Sequence, residues 1–104
     1  MDYKSKRWLR LRENILRRDG YMCQESLRYG KRVQANTVHH IFPANDFPEY
    51  EWKPWNLVSL AEPVHDSMHY RRGGDLTARG WKLLERTARK QGIDVSKYLP
   101  PGRS

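Results

Sequence analysis

A chain of 104 residues with four Trp, six Tyr and two Phe has enough bulky apolar material for one modest core, which argues against disorder and for a single small domain over 1–104; the strands and helices expected along it make that domain α+β. The formal net charge of +8 points to a polyanionic partner, nucleic acid first. A single cysteine, Cys23, excludes an internal disulfide. The absence of a long apolar run leads us to expect no membrane partner and a cytoplasmic location.

In chain order, residues about 5–18 are predicted to form a helix. Trp8, Leu11 and Ile15 recur at helical spacing among Lys and Arg, Ser5 can cap the start, and Asp19-Gly20 can stop it. Its basic face could lie on a phosphate backbone. Residues 21–36 read as two brief extended pieces about a turn at Tyr29-Gly30-Lys31. Thr37 to Phe42 is β-branched and apolar around His39 and His40 and is predicted to be a strand. A loop from 43 to 55 carries Pro43, Pro48 and Pro54, with Phe47, Tyr50 and Trp52 available to pack it down. Leu57 to Leu60 then returns as an antiparallel strand. Pro63 stands in the first turn of a helix expected to run to about Arg72, ahead of Gly73-Gly74. Thr77 caps a last helix over about 78–91 with Trp81, Leu84 and Ala88 as its buried stripe. Beyond Gly92, Tyr98 and Leu99 are expected to dock and Pro100 to Ser104 to fray.

All four histidines fall in the core stretch, 37–72. His65 and His69 sit one helical turn apart and can present ring nitrogens to one ion, at about 2.0–2.1 Å for zinc. A third histidine from the facing strand completes three protein ligands and leaves open positions for water and a phosphate oxygen. Because side chains alternate on a strand, His39 and His40 should point in different directions and divide by role. Spacing alone does not say which takes which. The remaining histidine suits a general base, being largely neutral at pH 7 with an ordinary pKa of roughly 6.5. Arg71 and Arg72 could hold a nucleic-acid strand, or one of them could serve a helix C-terminus.

Three blocks in order, Val38-His39-His40-Ile41-Phe42-Pro43, Asn56-Leu57-Val58-Ser59-Leu60 and His65-Asp66-Ser67-Met68-His69, resemble the HNH endonucleases of the ββα-metal fold. The segment Ile15 to Cys23 is similar to the lead-in of phage-type members, so the resemblance spans about residues 8 to 70. It implies a core of a two-stranded antiparallel hairpin and a helix, flanked by N- and C-terminal helices. It further implies that His40 is the general base, that Asn56 braces the loop between the strands, and that His39, His65 and His69 are metal ligands. The implied activity is hydrolysis of DNA with one divalent ion, Mg²⁺, Mn²⁺, Ni²⁺ or Zn²⁺, leaving 5′-phosphate and 3′-hydroxyl ends. A phage or prophage DNA-processing complex, in a bacterial or phage-infected cell, is the implied setting. Many members carry a structural zinc on two Cys-x-x-Cys pairs. Here those positions read Cys23-Gln24-Glu25-Ser26 and Ala61-Glu62-Pro63-Val64, so no structural zinc is expected. The alternative from another class is a non-catalytic nucleic-acid-binding module in which the histidines hold a structural ion. A histidine outside the coordination shell would have no use there.

Overall fold

The computed structural model describes residues 1–72, 74–96 and 98. The expectations for Gly73, Leu99 and residues 100–104 lie outside the described residues. The chain divides into two compact units, Met1–Glu62 and Pro63–Ser104.

The first unit begins with α1, Lys6–Arg18. Ser5 Oγ accepts from the Trp8 backbone N–H at 3.1 Å, the N-cap bond expected of serine at this position. Trp8, Ile15 and Leu16 are the buried residues of α1, with Leu11 partly buried; they pack with Ala35, Val38 and Leu57 into one apolar cluster that Trp52 partly joins. Gly20 and Tyr21 both adopt left-handed backbone, with φ of 63° and 58°, and reverse the chain. For tyrosine this conformation costs about 1–2 kcal/mol, and its hydroxyl donates to the Glu13 carboxylate. Between positions 21 and 36 the structure differs from the sequence expectation. A five-residue helix, α2 (Gln24–Arg28), stands in place of an extended piece, and Met22 and Gln34 form an antiparallel bridge on either side of it. Cys23 is fully buried, its thiol beside the Ser26 side chain and the Ala61 backbone.

The hairpin consists of β1 (Thr37–His40) and β2 (Leu57–Leu60), antiparallel with Thr37 opposite Leu60 and His40 opposite Leu57. The other edge of β2 is covered by the end of α1. Arg18 donates to the carbonyls of Pro54 (2.8 Å) and Leu57 (2.7 Å), and Asp19 accepts from the Ser59 N–H at 3.0 Å. These bonds satisfy backbone groups that an unpaired edge would leave exposed. The loop between the strands is ordered by two single 3₁₀ turns, Pro48–Tyr50 and Pro54–Asn56. Phe42, Phe47, Tyr50 and Trp55 pack edge-to-face, tilted or stacked at centroid distances of 4.9 to 6.1 Å.

A short helix, α3 (Glu62–Asp66), starts at the boundary between the units. The sequence predicts a helix to about Arg72; α3 ends at Asp66. Ser67 Oγ donates to the Val64 carbonyl at 2.6 Å, and Thr77 donates to the carbonyls of Ser67 and Met68 through Oγ1 and N–H at 2.6 and 2.9 Å. The chain then turns back, with a bridge between His69 and Leu76 and with Gly74 at φ 70°. α4 spans Ala78–Gln91, capped by Thr77 and closed by Gly92 in left-handed backbone. Leu83, Leu84 and Ala88 are buried, while Trp81 is only partly so. Gly80 lies against its neighbours so closely that a Cβ would stand 2.5 Å from the Met68 carbonyl oxygen. Tyr98 is exposed. No helix among the described residues is long and apolar enough to cross a membrane. The hairpin and its helices make this an α+β fold with a ββα core.

Candidate functional site

The hairpin separates the two adjacent histidines. His40 shares the face of Val38 and Leu57, which pack with Trp8; His39 lies on the opposite face, as strand alternation requires. His40 stacks on the Trp8 indole, with centroids 5.4 Å apart and planes 17° from parallel, and the Tyr3 ring meets it edge-on at 6.3 Å. Its Nε2 lies 3.0 Å from the Glu51 carbonyl oxygen. A carbonyl oxygen can only accept, so Nε2 carries the hydrogen and Nδ1 keeps the lone pair. Burial pushes the His40 pKa below its ordinary value, opposed by the Glu51 carbonyl and carboxylate. The ring is therefore neutral at neutral pH.

Asn56 is fully buried at the end of the second 3₁₀ turn. Its Oδ1 accepts from the Phe42 N–H at 2.7 Å, and its Nδ2 donates to the Phe42 and Tyr50 carbonyls at 3.1 Å each. One side chain thus ties both ends of the loop to the residue before Glu51, whose carbonyl holds His40.

His65 lies on α3, and His69 falls beyond its end, in the bridged turn, not on the same helix as the spacing predicts. Their rings are 5.5 Å apart, nearly perpendicular. The Nδ1 of His69 donates to the Gly74 carbonyl at 3.0 Å, which fixes the tautomer and leaves the lone pair on Nε2. His65 and His69 belong to the second unit and face one another ring to ring, while His39, the third ligand expected from the sequence, belongs to the first. Three imidazoles suit a first-row divalent ion. His40 points away from His39, on the other face of the hairpin. Arg71 and Arg72 are exposed, in the turn after His69 and past the end of α3 at Asp66.

The support of His40 by Trp8 and by the Glu51 carbonyl is absent from the sequence reading. Trp8 is legible as a core residue; a backbone carbonyl leaves no trace in residue type.

An antiparallel hairpin followed by a helix, with histidines on each, defines the ββα-metal class of nuclease folds. Among solved structures, the crystal structure of the HNH endonuclease of the deep-sea thermophilic bacteriophage GVE2, with manganese ion, is similar at a TM-score of 0.60 and 34% identity. The match covers 62% of this chain and 70% of that one. The chain belongs to the HNH endonuclease family. No protein-family model matches the sequence, and no curated protein does.

Proposed function

We propose that this protein is a metal-dependent endonuclease that hydrolyses DNA phosphodiester bonds, with His40 as the general base. The observation that carries this reading is the state of His40: a buried, neutral imidazole on the face of the hairpin opposite His39, with its proton committed to the Glu51 carbonyl. Such a ring is prepared to take a proton from a water at Nδ1. The Trp8 stack fixes its plane and Asn56 fixes the loop that orients it, so the base is held before substrate arrives. His39, His65 and His69 would hold one divalent ion; when bound, such an ion neutralises charge on the phosphate and the leaving oxygen. Arg71 and Arg72 would grip the strand, and the activity would serve a phage or prophage DNA-processing complex. Membership of the HNH family and the manganese in the phage relative support a nuclease over a non-catalytic module.

The test is incubation of supercoiled plasmid with the protein and Mg²⁺, Mn²⁺, Ni²⁺ or Zn²⁺ in turn, beside a chelated control. We expect open-circular or linear product with at least one ion and none under chelation. Intact plasmid with all four ions would overturn the reading in favour of the binding module.

A further inference from the structure

The amino-terminal half of α1 presents a feature that the catalytic site does not use. Lys6, Arg7, Arg10, Leu11 and Asn14 follow one another at helical spacing and, with Trp52 from the inter-strand loop, line an open cleft of about 360 Å³. Three of the six lining residues are cationic and none is acidic. The Arg7 guanidinium lies 3.8 Å over the centre of the Trp52 indole. That stacking holds a flexible side chain flat, so its N–H edge is presented in a fixed direction. Trp52 in turn meets Trp8 at 6.5 Å, and Trp8 is the ring on which His40 stacks. The cleft therefore begins two aromatic rings away from the proposed general base.

We infer that this cleft is a phosphate-binding subsite for a nucleic-acid strand, in which Arg7, oriented by Trp52, forks onto one phosphate while Lys6 and Arg10 flank the strand. The inference rests on the DNA-cleaving reading and assigns it a grip outside the arginines after His69. Charge complementarity selects the occupant. An exposed cationic fork with no carboxylate in the cleft lining matches a phosphodiester, with which a guanidinium forms paired charge-assisted bonds. The indole face is occupied by Arg7, which disfavours a reading in which Trp52 stacks on a base.

The experiment is fluorescence anisotropy with a labelled duplex in EDTA, at several salt concentrations, so that binding is read without cleavage. The double variant Arg7→Gln, Arg10→Gln should bind about tenfold more weakly, with the slope of log K against log salt reduced by about 1.8, or 0.9 for each phosphate that is no longer neutralised. Arg7→Lys, which keeps the charge and removes the fork, should fall between that variant and wild type. Arg28→Gln with Arg32→Gln removes the same charge from exposed positions elsewhere and should leave binding within about twofold of wild type. All variants sit on exposed side chains, and a thermal melt of each confirms that the fold is retained. Wild-type affinity in the Arg7, Arg10 variant, or an equal weakening in the Arg28, Arg32 control, would overturn the subsite. A wild-type protein that binds DNA with the expected variant pattern but cuts plasmid with none of the four ions would overturn the nuclease reading and leave the subsite standing.

Discussion

Asn56 and Phe42 exchange two hydrogen bonds: the Asn56 carboxamide accepts from the Phe42 N–H at 2.7 Å and donates to the Phe42 carbonyl at 3.1 Å. The side chain copies a strand-to-strand pair just where the hairpin opens into its loop. Asn56→Ala leaves the Phe42 N–H without its partner in a buried setting, at a cost of about 1–3 kcal/mol for that group alone. A loss of this size lowers the melting temperature by several degrees, since 1 kcal/mol is worth about 4–8 °C in a domain of this size. Cleavage should fall further than stability, because the Tyr50 carbonyl, next to Glu51, is released as well. Urea unfolding and cleavage rates measured below the variant's own midpoint separate the two effects.

Gly80 tests how the segment carrying His69 is placed. An added methyl would meet the Met68 carbonyl oxygen at 2.5 Å and Leu76 Cδ2 at 2.9 Å, and backbone cannot yield cheaply. Gly80→Ala should gain about 1 kcal/mol in helix propensity and lose about 1–3 kcal/mol to overpacking. The expected outcome is a lower melting temperature together with weaker binding of Mn²⁺ by calorimetry, since Met68 adjoins His69. A stabilised variant with unchanged affinity would show that the segment moves freely.

Chelation separates folding from activity. At 23, 26, 61 and 64 the chain carries Cys, Ser, Ala and Val in place of a four-cysteine set, and the first unit packs Trp8, Ile15, Leu16, Val38 and Leu57. EDTA should leave the far-UV circular dichroism native-like and the melt cooperative, while cleavage stops until a divalent ion returns. Added ion should raise the melting temperature by mass action, about 2.7 kcal/mol of stability at a hundredfold excess over Kd. Complete unfolding in EDTA would make the histidines a structural staple.

Much of this is readable from residue types. Ser5 and Thr77 mark the starts of α1 and α4 because a hydroxyl cap is a local device. Alternation along Val38-His39-His40 separates the two histidines without knowledge of any neighbour. The end of α3 is not readable. Gly73-Gly74 suggests a stop near 72, whereas α3 ends at Asp66, where Thr77, ten residues beyond Ser67, takes the carbonyls of Ser67 and Met68. α2 escapes a sequence reading because five residues carry too little periodicity and no side chain caps it. The cation–π pair of Arg7 and Trp52 joins α1 to a loop far along the chain, and only the folded hairpin brings them together.

The central claim is that His40 moves a proton and does not bind metal. The most direct measurement is the single-turnover cleavage rate of His40→Ala under saturating Mn²⁺, paired with calorimetric Mn²⁺ affinity on the same preparation. A rate lowered by about 10² to 10⁴-fold with wild-type metal affinity is the predicted result. Cleavage at the wild-type rate, or a drop in Mn²⁺ affinity that accounts for the whole effect, would contradict it.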